Sequence, residues 1–277
     1  ATIKPLINLF ALATLGSLVA VSVVAPKARS VTIKGNFTGG VVPNNTVGEG
    51  NLVDIFRAAA DWWERTIQDD FTLNIDFGWA SLDDDILGVT IAPINFPITD
   101  ATIQFDNDGS SEWFLDSTPD QNEEFQTFAE SRENLGGGEI NTGRIYTANG
   151  GDAFGKVDLL TTAKHEIGHA LGFNKENPGW DAPIVISEPL PFLGTEIPTI
   201  PDGGGHINIS TALLATNLAP SQRIAQSDVD ILGVAQVNGF ENINLNPVHS
   251  VPEPFTILGS FTALGLGVLF KRDHSRR

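Results

Sequence analysis

The segment from residue 157 to residue 173 constrains this chain more than any other. Its apolar side chains recur every three or four positions, the spacing of the buried face of an α-helix. These residues are Leu159, Leu160, Ala163, Ile167, Ala170 and Leu171. Four residues advance a helix by about 400°, so His165 and His169 project from one face, one turn apart. The pattern predicts a helix, with Asp158 in its first turn, that directs two imidazoles to the same place.

Glu166 lies beside these histidines, in the order H-E-x-x-H. Two imidazoles on one face can each give a ring nitrogen to one zinc ion. A neighbouring carboxylate can then take a proton from a water molecule that the zinc activates. The alternative is a core or solvated helix with two structural histidines. The apolar surroundings, and the small residues Gly168 and Ala170 that would leave room for a metal, favour the zinc site.

The string from His165 to Phe173, HEIGHALGF, resembles the zinc-binding helix of the metzincin metallopeptidases, H-E-x-x-H-x-x-G-x-x-H/D. The match extends through Gly172, where a glycine lets the helix stop and the chain reverse. It ends at Lys175, which occupies the third-ligand position and has no lone pair to give while protonated. The Met-turn of the family is also missing, since the chain contains no methionine.

This resemblance implies an α+β fold: a metzincin-like metallopeptidase domain. The domain would contain a twisted, mostly mixed sheet, the zinc-binding helix and an irregular C-terminal half. It also implies Zn²⁺ as the cofactor and a protein or peptide as the substrate. In such proteins a strand shortly ahead of the zinc helix forms the sheet edge and binds extended substrate, which would here be residues 143–148.

The third zinc ligand must come from elsewhere in the chain. His206 is the one further imidazole between the predicted terminal segments, and the glycines before it would let a loop approach a metal closely. Asp181 is the nearest carboxylate that a reversing chain could deliver. Glu188 lies among prolines that exclude a second helix. We rank His206 first, Asp181 second and Glu188 third; an exposed loop histidine is the alternative for His206.

Other patterns predict the surrounding elements. Asn51 would cap a helix that runs to about Gln68, and Ser227 would cap a final helix over residues 226–237. Alternating apolar residues predict strands at 31–34, 71–77, 89–92, 101–105 and 139–148. The spacing of Phe125, Phe128 and Ala129 predicts a short helix over residues 122–133.

The two ends of the chain differ from its middle. Residues 1–30 combine Lys4, a long apolar run and a small-residue cleavage site, which is typical of a signal peptide. Residues 31–247 would form the metallopeptidase-like domain. Residues 248–277 contain a linker, Pro-Glu-Pro, a short apolar transmembrane segment and a basic tail. This order resembles the PEP-CTERM sorting signal of Gram-negative bacteria and implies processing by an exosortase-type enzyme.

The composition bounds the partners. The chain has 34 acidic and 16 basic residues, a formal net charge of −18. Such a surface repels nucleic acid and anionic lipid, so contact with a membrane is expected only through the terminal segments. The stretches 83–85 and 106–112 are acidic enough for a calcium site, but solvated acidic turns are the favoured interpretation. Neither fits an EF-hand, because Ser111 and Ser117 stand where a loop begun at Asp106 needs glycine and glutamate.

These patterns together predict an exported zinc-dependent endopeptidase, located at the cell surface or outside the cell, with a precursor anchored in the membrane at its C-terminus. His165, His169 and His206 would hold the zinc, and Glu166 would be the general base. The alternative is a non-catalytic zinc-binding protein of the cell surface or extracellular matrix, with a degenerate peptidase fold. The missing third histidine of the family pattern favours that alternative.

Overall fold

A computed structural model of the protein describes residues 30–83, 85–201 and 204–246. Within these ranges the fold is α+β, as the sequence predicts. The predicted sorting segment at 248–277 and all but the last residue of the predicted signal peptide lie outside them. None of the helices in the described part of the chain is long and apolar enough to cross a membrane.

The described residues contain three helices and eleven strands. The helices are α1 (Leu52–Thr66), α2 (Leu159–Ala170) and α3 (Asp228–Asn238). The longer strands are β1 (Thr32–Gly39), β2 (Thr72–Ala80), β3 (Gly88–Ile91), β4 (Asp100–Asp106), β6 (Thr127–Asn134), β7 (Glu139–Thr147) and β11 (Gln222–Ala225). The two-residue strands are β5 (Trp113–Phe114), β8 (Val157–Asp158), β9 (Ile184–Val185) and β10 (Glu196–Ile197).

The main sheet is mixed and has the order β1-β2-β4-β3. Strands β1, β2 and β4 run parallel, and β3 runs antiparallel to β4 at one edge. Helices α1 and α2 contact each other; α1 also contacts β1, and α2 contacts β3 and β4. The apolar side chains of both layers join into one core that extends from Val31 to Val237. The main sheet and these two helices therefore form one packed unit with α2 inside it.

The predicted caps of the outer helices are confirmed. The side chain of Asn51 accepts a hydrogen bond from the backbone N–H of Asp54, which satisfies a donor that the first turn of α1 leaves open. Ser227 and Asp230 form a reciprocal capping box at the start of α3. Both helices begin within two residues of the predicted positions.

The predicted short helix over residues 122–133 is wrong. Residues 127–134 form strand β6, which pairs antiparallel with β7 across a turn that contains Gly136 and Gly138, both with positive φ. Phe125 is buried beside Phe114, whereas Phe128 is 52% exposed on the strand. The three-residue spacing of the two phenylalanines imitates a helix, but they lie in different environments.

The predicted substrate-binding edge at residues 143–148 is also wrong. Strand β7 is the central strand of a second sheet, β11-β7-β6. Thr147 pairs with Gln222 on one side and with Thr127 on the other, so the strand has no free edge there. The sheet edge that contacts the histidine helix is β3 instead.

Candidate metal centre

Helix α2 is fixed at its start by buried polar contacts. Asp158 is its N-cap, one position ahead of the predicted first-turn site, and its side chain accepts from the backbone N–H of Thr161 at 3.1 Å. Arg223 of β11 forms ion pairs with Asp158 at 2.9 Å and with Asp116 at 2.6 Å, and its side chain is fully buried. Trp63 of α1 donates its indole N–H to the carbonyl of Lys164. These contacts hold the helix against its neighbours and so set the direction of its histidines.

Three imidazoles meet at the C-terminal end of α2. His165 and His169 come from the helix, and His206 comes from a loop 37 residues further along the chain. Their ligand atoms all lie within 4.8 Å of one another. In the described part of the chain this is the one group of three such side chains close enough to hold a metal ion. The structure thus brings together the three predicted ligands.

The hydrogen bonds of the helical pair fix their tautomers. His165 Nδ1 lies 2.8 Å from the carbonyl oxygen of Leu213, and His169 Nδ1 lies 2.8 Å from that of Phe173. A carbonyl oxygen only accepts, so both Nδ1 atoms carry the proton and both Nε2 atoms carry a lone pair. The two Nε2 atoms are 3.0 Å apart, and two lone pairs at that distance repel each other unless a cation lies between them. The residues therefore fit a metal ion, with backbone carbonyls orienting the ligands.

Burial keeps these ligands neutral. Together with a smaller contribution from the nearby His206, it lowers the pKa of His165 to about 4. Burial also lowers the pKa of His169 to about 4, with His165 contributing in the same direction. Neutral imidazole is the form that binds metal, so protons do not compete strongly for this pair near neutral pH.

Glu166 lies beside the imidazoles and is 5% exposed. Its Oε2 atom is 2.8 Å from the hydroxyl of Thr90 on β3. Burial raises the pKa of the Glu166 carboxyl, and the electrostatic interaction with the His169 ring and the hydrogen bond from Thr90 partly oppose that shift. The carboxyl group is thus placed near the three imidazoles in a setting that favours proton uptake more than water does.

The loop that carries His206 depends on glycine. Gly204 and Gly205 have φ of +70° and +110°. A Cβ on Gly205 would lie 2.9 Å from the Cα of Asn174, just after the helix, so only glycine lets the loop approach so closely. The carbonyl of His206 accepts from the N–H of Ile200, which ties the loop to the preceding segment.

The glycines of the helix have roles that differ in part from the predicted ones. Gly172 has φ of +107° and ends the helix, as the sequence predicts. Gly168 does not make room for a metal: a Cβ there would lie 2.6 Å from Leu214 and 3.3 Å from Trp63. Its small size instead admits those two side chains to the core.

The other ligand candidates lie outside the histidine cluster. Asp181 and Glu188 are exposed and do not belong to it, and Lys175 is exposed as well. In the acidic stretches, Asp106 is buried and accepts from the backbone N–H groups of Leu82 and Asp108. Among the described residues, neither stretch brings together three metal-ligating side chains; Asp84 lies outside the described part.

A cleft of about 770 Å³ opens over the three imidazoles. Its lining includes residues 85–90, which contain most of β3, residues 216–218 and Pro220. His165, Glu166, His169 and His206 line it as well. The carboxyl group and the imidazoles therefore face a space large enough for part of an extended chain.

Several residues that shape the site were not predicted. Leu213 supplies the carbonyl for His165, and Asp230 accepts from the N–H groups of Leu213 and Leu214. Gly88 and Thr90 of β3 surround the Glu166 carboxylate. Strand β3 was predicted nearly in place, but no sequence signal shows which helix it contacts.

Comparison of the chain with protein-family models and with curated proteins finds no match. The functional argument for this chain therefore rests on its own site. That site consists of three converging imidazoles, a carboxyl group beside them and an open cleft.

Proposed function

We propose that this protein is a zinc-dependent endopeptidase with a metzincin-like catalytic domain. One observation carries the proposal: three imidazoles converge beside Glu166 on the floor of an open cleft. Structural zinc sites are closed by four protein ligands, whereas catalytic sites keep a position open for water or substrate. Three nitrogen ligands at the base of a cleft match the catalytic class.

Zinc bound here would act as a Lewis acid that polarises a scissile carbonyl and makes a water molecule acidic. Glu166 takes the proton of the attacking water on its carboxylate and later gives it to the leaving amine. His165 and His169 keep their Nε2 atoms free for the metal, because Leu213 and Phe173 hold their Nδ1 protons.

Strand β3 is an edge strand of the main sheet within the described part of the chain, and this edge provides a place for the substrate backbone. The N–H of Asp106 donates to the carbonyl of Leu87, so these two residues form a hydrogen-bonded pair of the antiparallel ladder. Such pairs alternate along a strand. The backbone groups of Gly88 and Thr90 therefore point away from β4, and an extended peptide can pair with them as an added strand.

The test is metal analysis together with a digest. The purified full chain, loaded with zinc, is expected to hold one zinc ion and to cleave fluorescently labelled casein, with loss of cleavage on chelation. Glu166→Gln, the matched variant, keeps the zinc ligands and loses roughly 10²- to 10⁴-fold in rate. Zinc binding without any cleavage would instead support a non-catalytic zinc-binding protein of the cell surface or matrix.

We also propose that the chain is exported and processed by an exosortase-type enzyme. The support is the order of features in the sequence: a signal-like segment at 1–30 and Pro-Glu-Pro, an apolar run and a basic tail at 248–277. Fractionation of cells that express the tagged full chain tests this. Accumulation of the unprocessed chain in the cytoplasm would contradict it.

A further inference from the structure

Strand β3 encloses the Glu166 side chain from two sides. Gly88 and Thr90 are two positions apart on the strand, so they share one face, and that face lies on α2. A Cβ on Gly88 would lie 3.0 Å from Glu166 Cγ and 3.1 Å from its Oε1 atom. Because Gly88 has no side chain, Glu166 can occupy the space next to it.

Thr90 supplies the polar contact of this enclosure. Its Oγ1 atom lies 2.8 Å from Glu166 Oε2 and 2.9 Å from the carbonyl oxygen of the same residue. The single hydroxyl proton is shared between these two acceptors, which restricts rotation of the Glu166 side chain. Because Glu166 is 5% exposed, little water can substitute for that contact.

We propose that Thr90 is a positioning residue for the general base, with Gly88 as the space that admits it. Thr90 holds Oε2 of Glu166, which leaves Oε1 to receive the proton. The inference rests on the proposed peptidase function for its kinetic consequence, but the orientation of Glu166 can be measured without it.

The position of Thr90 couples the base to the substrate. Its side chain holds Glu166, and its backbone belongs to the free edge where a peptide would pair. A peptide that adds a strand to β3 fixes the part of the backbone from which the Thr90 hydroxyl extends. Gly88 and Thr90, two positions apart on β3, would therefore take part both in substrate binding and in the orientation of the base.

The first test is structural and uses the metal-free full chain. Crystal structures of wild type, Thr90→Val and Thr90→Ser compare an isosteric variant without the hydroxyl with one that keeps it. Thr90→Ser is expected to retain the wild-type placement of the Glu166 carboxylate. Thr90→Val is expected to release it into other rotamers. An unchanged carboxylate in Thr90→Val would overturn the proposal.

The second test is kinetic and uses the zinc-loaded proteins with fluorescently labelled casein. Thr90→Val removes a hydrogen bond to a charged group. If that bond orients the base, kcat should fall by roughly tenfold to a hundredfold, while KM changes by less than about twofold. Thr90→Ser retains most of the wild-type kcat. A Thr90→Val enzyme as active as wild type would overturn the proposal.

Two further measurements separate this role from a structural one. Zinc content and the thermal midpoint of Thr90→Val should match those of wild type. If either falls together with kcat, Thr90 has a structural role and the proposal is wrong. If Thr90→Val does not fold, Gly88→Ala, which crowds Glu166 from the other side, takes its place in both tests. A wild-type protein that cleaves nothing would contradict the proposed function, while the crystal structures would still decide the role of Thr90.

Discussion

Helix α2 and the loop around His206 deliver imidazoles to one point by different means. The helix is regular and buried, and it gives two histidines and a carboxylate through a four-residue spacing. The loop has little regular structure and gives one histidine through two glycines with positive φ. The helical ligands are set by helix geometry, whereas the loop ligand is set by contacts with distant segments. Substitutions near the helix and substitutions in the loop should therefore have different effects on stability and on zinc binding.

The largest effect is expected on the helix side, at Arg223. Replacing it with methionine leaves the carboxylates of Asp158 and Asp116 buried without their partner, which should lower the free energy of unfolding by about 3 to 5 kcal/mol. Urea denaturation of the metal-free protein measures this. Arg132→Met is the matched control, because its pair with Glu130 is half exposed and should contribute less than about 1 kcal/mol. Equal effects of the two variants would contradict the anchoring role of Arg223.

The second prediction compares the ligands themselves. His206→Ala and His169→Ala should each weaken zinc binding on the order of a hundredfold or more, since each removes one of the metal bonds. Competition with a chromogenic chelator measures the affinity. His169→Ala should also destabilise the metal-free protein, because the His169 ring donates to the carbonyl of Phe173. Zinc affinity that survives His206→Ala would remove the loop from the metal site.

A smaller effect is expected from crowding the loop. Gly205→Ala combines a positive φ with a Cβ 2.9 Å from Asn174, and it should destabilise the protein by about 1 to 3 kcal/mol and weaken zinc binding with it. Gly150→Ala is the control, since a Cβ there meets nothing within 4 Å. Thermal unfolding and the same chelator competition measure both variants. A Gly205→Ala protein that resembles Gly150→Ala would show that the loop adapts freely.

The smallest effects are expected at the rejected ligand candidates. Asp181→Asn and Glu188→Gln change exposed carboxylates outside the histidine cluster. Zinc affinity should stay within about twofold of wild type in both, the scatter expected for surface substitutions. A tenfold loss in either variant would place a fourth protein ligand on the metal and would argue against an open catalytic position.

Much of the helix side could be predicted from the sequence because its signals are local. The pair His165 and His169, the carboxylate of Glu166 and the caps at Asn51 and Ser227 all depend on spacings of four residues or fewer. His206 was ranked first by elimination. The glycine-rich loop permits a close approach to a metal, but its sequence does not show where in the fold the loop lies. The backbone carbonyls of Leu213 and Phe173 have no side-chain signature at all.

The errors have a common physical cause. Strand β11 lies in a segment that was interpreted as irregular, and its pairing with β7 covers the edge that was assigned to substrate. Phe125, just before strand β6, and Phe128, within it, have the apolar spacing of a helix, but pairing with β7 decides the conformation of β6. Pairing between strands is a long-range contact, so a pattern within one strand cannot show which edge stays free.

The metal centre draws on segments far apart in the chain. The carbonyl of Leu213 orients His165, Asp230 holds Leu213, and His206 completes the imidazole set. In an unfolded chain the three histidines are not held together, and His165 and His169 lack the carbonyl contacts that select their tautomers. Tight metal binding therefore requires that the last third of the chain has folded against the helix. Under the proposed function, the chain would gain its hydrolytic activity only after this domain has folded, which would protect the nascent chain from cleavage.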